Sequence, residues 1–182
     1  MRYSLGMIEV VSIPAGMEAA DAMMKASAVE LAYAQPVCAG KYIAVVTGDV
    51  AAVQASVKAG SKTAGPKLID SMVIAGVHEQ VPKALNACSE IGQIQAVGAM
   101  ETFSLCAAVL TADAAVKAAD VDLIEIRLGR GLGGKSFITM TGGVAAVKAA
   151  IKAGTAIPQA QGLISGSVVI ASPHPEIVRT FI

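Results

Sequence analysis

The residues Gly129-Arg-Gly-Leu-Gly-Gly134-Lys135-Ser136 fit the pattern G-x4-G-K-[ST], and Gly129, Gly131 and Gly134 also satisfy G-x-G-x-x-G. Both patterns bind phosphate by aiming backbone N–H groups and the start of a helix at the anion. That chemistry needs a helix directly after the loop. Here Phe137-Ile-Thr-Met-Thr141 follows, β-branched and ending at Gly142-Gly143, which predicts a strand. Lys41 is likewise followed by Tyr42-Ile-Ala-Val-Val46, a clearer strand still. The glycine-rich string is therefore expected to join two strands, and nucleotide binding is set aside.

The other chemically capable side chains form no catalytic constellation. Glu9 and Glu101 are single carboxylates inside strand-like runs, and His78 and His174 each precede a short helix. No nucleophile–base order with a supporting motif occurs, so no enzyme is expected. Cys38, Cys88 and Cys106 make no CxxC or Cys/His metal spacing, so free thiols and no metal site are expected. The alternative is one thiol repeated around a symmetry axis as a ligand set.

Composition narrows the class further. The chain has 182 residues and 18.3 kDa, with 14 basic side chains balancing 14 acidic ones. Nucleic-acid binding would require a basic excess. Hydrophobic residues reach 54% and charged ones only 15%, which excludes disorder. Mean hydropathy is +0.63, yet no apolar run approaches the ~18–20 residues of a membrane span. Met1-Arg2-Tyr3 leads directly into a strand-like run, with no signal peptide visible. A cytoplasmic chain is expected, with homo-oligomerisation to cover its excess apolar surface.

The elements that position these residues occur twice. Gly6-Met-Ile-Glu9-Val-Val-Ser12 recurs as Gly98-Ala-Met-Glu101-Thr-Phe-Ser104, a shift of 92. At that shift Ala20-Asp21-Ala22 meets Ala112-Asp113-Ala114, Lys25 meets Lys117, and Val29 and Leu31 meet Val121 and Leu123. After short insertions Gly40-Lys41 matches Gly134-Lys135, and His78 matches His174. The chain is read as a tandem duplication, with domains at 1–90 and 96–182. In the first copy the patterning predicts strands Leu5–Ile13, Val29–Val37, Lys41–Thr47 and Leu68–Ala75, with helices Gly16–Ser27, Val50–Ala64 and Glu79–Asn86. The second predicts strands Ala96–Leu105, Asp122–Leu128, Ser136–Thr141 and Leu163–Ala171, with helices Ala108–Ala118, Val144–Ala156 and Pro175–Phe181. Two α/β (α+β) units of ferredoxin-like β-α-β-β-α-β order follow.

With the repeat in view, Gly6-Met-Ile-Glu9, Ala20-Asp21-Ala22-Met-Met-Lys25, Gly40-Lys41, Gly48-Asp49-Val50 and Ala59-Gly60 resemble the shell-protein domain of bacterial microcompartments. The second copy resembles it again through Gly98-Ala-Met-Glu101, Ala112-Asp113-Ala114-Ala-Val-Lys117 and Gly131-Leu-Gly-Gly-Lys135. The resemblance covers nearly the whole chain and points to tandem-domain members of the family. It implies a structural protein located in the microcompartment, a homotrimer of pseudo-hexameric outline that tiles with other shell proteins. It also implies a central pore for small metabolites lined by Gly131, Leu132, Gly133, Gly134, Lys135 and Ser136, and edge contacts at Lys25 and Lys117. Tandem shell proteins of propanediol-utilisation compartments are similar in this loop, which reads Gly-Ile-Gly-Gly-Lys-Cys there and implies cysteines holding an iron–sulfur cluster. Here Ser136 stands at that position, and a hydroxyl is a poor ligand for such clusters. No cofactor is therefore expected; the alternative is a redox shell protein with a cluster on Cys38. A family motif Pro-Arg-Pro-His after the last strand is replaced by Ser172-Pro173-His174-Pro175, without the arginine.

Overall fold

Each repeat folds as strand, helix, two strands, helix, strand, followed by a short helix. The computed structural model describes residues 3–180. The first repeat contains β1 (Ser4–Val10), α1 (Ile13–Ala26), β2 (Glu30–Val37), β3 (Lys41–Gly48), α2 (Val50–Ala64), β4 (Leu68–Ile74) and α3 (Gln80–Leu85). The second contains β5 (Ala96–Thr102), α4 (Leu105–Ala118), β6 (Val121–Leu128), β7 (Ser136–Gly142), α5 (Val144–Thr155), β8 (Ile164–Ile170) and α6 (Pro175–Val178). Phe181, expected in the last helix, lies outside the described residues, as do Met1 and Arg2.

Both sheets have the order expected of a ferredoxin-like unit: β2-β3-β1-β4 and β6-β7-β5-β8, antiparallel throughout. The registers are duplicated too, with Met7 opposite Val45 and Ala99 opposite Thr139. Even the irregularities recur, since the central strand shifts register at Glu9/Val10 and again at Glu101/Thr102.

In the first unit α1 buries Gly16, Ala19, Ala20 and Met23, and α2 buries Val53, Ser56, Val57, Gly60 and Ala64. This spacing forms one stripe per helix, as an amphipathic helix on a sheet requires. The stripes join Ile8, Val10, Tyr42, Ala44 and Val46 in one apolar core. A Cβ on Gly60 would lie 2.5 Å from Met23 Cγ, so the two helices meet there through a missing side chain.

Some boundaries differ from the sequence reading. α1 begins at Ile13 rather than Gly16, because Pro14 suits the first helical turn. β5 stops at Thr102, short of Leu105, because Ser104 turns the chain and accepts the Ala107 N–H at 3.1 Å. Asp49 occupies the N-cap position of α2 but makes no side-chain capping bond.

The division into compact units also runs differently from 1–90 and 96–182. One unit ends at Val77 and includes Gly129–Gly134; the other comprises His78–Leu128 and the chain from Lys135 on. Segment 78–90 belongs to the second unit because the N–H of His78 donates to Asp113 Oδ1 at 2.8 Å, and α3 packs beside β6 and α4. The glycine loop goes with the first unit through hydrogen bonds to the β2–β3 turn, described next.

Candidate pore loop and edge lysines

Gly129–Lys135 connects β6 to β7, and no helix begins there, as the β-branched residues after Ser136 imply. Gly129, Gly131, Gly133 and Gly134 have φ of 62°, 70°, 61° and 88°, a left-handed series that side-chain-bearing residues rarely adopt. A Cβ at Gly131 or Gly133 would meet nothing within 4 Å, so these glycines serve backbone conformation, not packing.

Within the first unit this loop is tied to the β2–β3 turn. The Cys38 N–H donates to the Gly129 carbonyl at 2.8 Å. The Gly131 N–H donates to Cys38 Sγ at 3.3 Å, and the Arg130 guanidinium donates to the Gln35 amide oxygen. Ile13, Pro36, Cys38, Gly40, Arg130 and Gly131 line an open hollow of about 450 Å³. The one fixed positive charge in this part of the loop is already hydrogen-bonded to a neutral amide.

Lys135, in the second unit, is not a free cation. Its Nζ lies 2.9 Å from Glu101 Oε2 and 5.7 Å from the centroid of the Phe103 ring. Ser165 Oγ donates to the same Glu101 oxygen at 2.5 Å. The Ser165 hydrogen bond, and then Lys135, hold the Glu101 carboxyl below its ordinary pKa, and desolvation opposes them only in part. The first repeat carries the matching pair, with Lys41 Nζ 2.6 Å from Glu9 Oε1. In the sequence reading above these four residues stand apart. The signal was present, because Glu9 and Lys41 recur together as Glu101 and Lys135.

Ser136 departs from the expectation of a pore-facing hydroxyl. It is fully buried, and its Oγ has no hydrogen-bond partner. Register explains this. Ser136 stands opposite Thr102 just as Tyr42 stands opposite Val10, and Tyr42 points into the helix-side core. Tyr42 packs against Gly16, where an added Cβ would come within 2.4 Å of the tyrosine Cβ. The second repeat has the reverse distribution of volume, with Ala108 in place of Gly16 and Ser136 in place of Tyr42. A core-facing hydroxyl is a poor fit to a metal cluster on both chemistry and direction. Among the described residues no group of three or more His, Cys, Asp or Glu side chains is placed to hold a metal ion.

Lys25 and Lys117 end their helices in matching ion pairs. Lys25 Nζ is 2.6 Å from Asp21, and Lys117 Nζ is 2.5 Å from Asp113, each one helical turn back. Lys25 is well exposed and Lys117 less so. His78 and His174 share another local role, since each Nδ1 accepts the N–H two residues on and starts a short helix.

Comparison with known proteins agrees with this duplicated fold. The model of the BMC domain family matches residues 4–77 and again 96–173. The bacterial microcompartment shell protein PduT of Citrobacter freundii is 36% identical over 182 residues, covering 100% of this chain and 99% of that protein. The carboxysome shell protein CcmK2 of Synechococcus elongatus is 40% identical over 89 residues, covering 47% of this chain and 87% of its own. A crystal structure of a microcompartment protein from Desulfitobacterium hafniense DCB superimposes with a TM-score of 0.91 at 47% identity, covering 98% and 99% of the two chains. A fused, permuted hexameric shell protein of the RMM microcompartment shares the fold at a TM-score of 0.61 and 20% identity, covering 84% of this chain and 81% of that one.

The fold and the two matches define a protein built from two shell domains in one chain. This chain belongs to the BMC-domain family and is a bacterial microcompartment shell protein with tandem domains. Among the described residues no helix is long and apolar enough to cross a membrane.

Proposed function

We propose that three copies of this chain form a ring of six shell domains, which tiles with other shell proteins and passes small metabolites through a central pore. The observation that carries this reading is the completeness of the duplication. Each repeat has the full sheet, both helices and the same ion pairs, so three chains supply six equivalent wedges. The low charge of the chain and its exposed Met17, Leu31 and Val168 favour such association.

We assign the pore to Gly131, Leu132, Gly133, Gly134 and Lys135, and leave out Ser136, which is fully buried. A narrow ring of glycine backbone presents N–H and C=O dipoles with little fixed charge, since Lys135 is paired with Glu101. It suits small polar solutes and supplies no general base or nucleophile, which supports a structural rather than an enzymatic role. Lys25 and Lys117 are the proposed tile-to-tile contacts.

Light scattering of the purified protein tests the assembly. The expected mass is three times the chain mass of 18.3 kDa, with hexagonal sheets visible by electron microscopy. A stable monomer at micromolar concentration overturns the reading.

A further inference from the structure

The lysines of this chain follow one rule on α1 and α4 and the opposite rule on α2 and α5. Lys25 and Lys117 each pair with an aspartate one turn back, at 2.6 and 2.5 Å. Lys58 and Lys62 stand one turn apart on α2, Lys148 and Lys152 one turn apart on α5, and all four are exposed. Neither helix contains an acidic residue. Among the described residues, none of these four lysines enters an ion pair. In a chain whose basic and acidic side chains balance, 14 against 14, charge is thus segregated locally.

Folding does not account for the pattern. Like charges one turn apart destabilise a helix. The helix dipole favours Lys62 and Lys152, which lie in last turns, but not Lys58 or Lys148. Duplication does not account for it either. Lys58 matches Lys152, whereas Lys62 matches Ala156 and Lys148 matches Gln54. Each helix therefore has its own second lysine, on opposite sides of the shared one. The rest of the outward face is small, with Ala51 and Ala55 exposed on α2 and Ala145 and Ala149 on α5. A partner can approach such a face closely along about 18 Å of helix.

We infer that the outer faces of α2 and α5 bind an acidic polypeptide surface of another protein, whose carboxylates cancel the repulsion between paired lysines. Charge complementarity selects this partner. Lysine lacks the planar fork that grips phosphate in two places, and neither helix carries an arginine or an aromatic ring for a base to stack on. A nucleic acid is therefore the poorer fit. The binding does not require the trimer; a trimer presents six such faces.

A fluorescent peptide of repeated Ala-Glu-Ala-Ala units tests this on the full chain, with a Gln-for-Glu peptide as its control. The acidic peptide alone is expected to bind, and to be released as ionic strength rises from ~0.01 to ~0.15 M and the Debye length falls from ~30 to ~8 Å. Lys58→Glu with Lys148→Glu converts each like-charged pair into a Glu–Lys pair in the favoured order. That variant is expected to melt about 1–3 °C above the parent and to bind the peptide at least about tenfold more weakly. Lys83→Glu makes the same charge change on α3 and is expected to alter binding less than about twofold. A double variant that melts below the parent shows that the lysines serve the fold, and overturns the inference. So do undiminished binding by that variant, equal binding of the two peptides, or tighter binding of duplex DNA than of the acidic peptide. A parent that is monomeric in light scattering removes the trimer reading and leaves this result standing.

Discussion

Lys41 Nζ lies 2.6 Å from Glu9 Oε1, and the Glu9 side chain has no exposed surface. Its counterpart, Lys135 with Glu101, is about two-fifths exposed on both sides. Breaking a buried pair by removing one partner costs about 3–5 kcal/mol, whereas an exposed pair is worth about 0–1 kcal/mol. Lys41→Met is therefore expected to lower stability by roughly 3 kcal/mol, and Lys135→Met by less than about 1 kcal/mol. Chemical denaturation of both variants at one chain concentration checks the difference. Equal losses contradict it.

Glu101 supplies a pH dependence of known sign. Its folded pKa is lowered, first by Ser165 and then by Lys135. The stability it contributes is therefore complete above the ordinary carboxylate range, near ~4.3, and is lost as pH falls through the lower folded value. Ser165→Ala should move the Glu101 titration up towards the ordinary value and weaken this acid-range dependence. Carbon-detected NMR titration of the Glu101 carboxyl reads it directly; an unmoved midpoint refutes the hydrogen bond's role.

Two core positions respond in opposite directions. Gly16→Ala places a methyl within 2.4 Å of Tyr42 Cβ, an atom fixed to the backbone. Overpacking costs about 1–3 kcal/mol, which exceeds the ~1 kcal/mol that alanine gains over glycine in a helix. A net loss is expected. Ser136→Ala removes a buried hydroxyl that has no partner, and is expected to raise stability by about 1 kcal/mol. Thermal melts separate the two. A destabilised Ser136→Ala would mean that the hydroxyl is satisfied.

The pore assignment is open to cross-linking. With Cys38 and Cys88 changed to serine, Leu132→Cys should form disulfide-linked dimers between copies on mild oxidation, because the proposed pore brings three copies of this loop to one axis. A cysteine at Lys152, on α5, is the control. Oxidation that links neither, or both equally, argues against convergence at Leu132.

The proposed edge role of Lys25 and Lys117 predicts that tiling can be lost without the trimer. Lys25→Glu with Lys117→Glu is expected to abolish sheets in electron micrographs while the trimer persists on gel filtration. Unchanged sheets would show that the tile contacts lie elsewhere.

Much of this was legible in the residues. The shift of 92 carried α1 onto α4 residue for residue, and alternation of β-branched residues marked the strands. The glycine string was separable from a phosphate loop because the residues after Ser136 favour a strand. The burial of Ser136 is not legible in the same way. The family resemblance implies a pore-facing side chain, whereas its direction follows from pairing with Thr102, which spacing alone does not reveal. The Glu9–Lys41 pair was missed because its partners are far apart in sequence and meet only across β1 and β3. The change of allegiance of segment 78–90 was hidden for a similar reason, since it depends on Asp113, 35 residues away.

The exchange of Gly16 and Tyr42 for Ala108 and Ser136 has a consequence for how this molecule varies. In a shell protein made of single-domain chains, any substitution is imposed on every wedge at once. Fusion removes that coupling. A bulky side chain can be accepted beside one helix and refused beside its twin. Selection thus has two separately adjustable drafts of one domain inside a single reading frame.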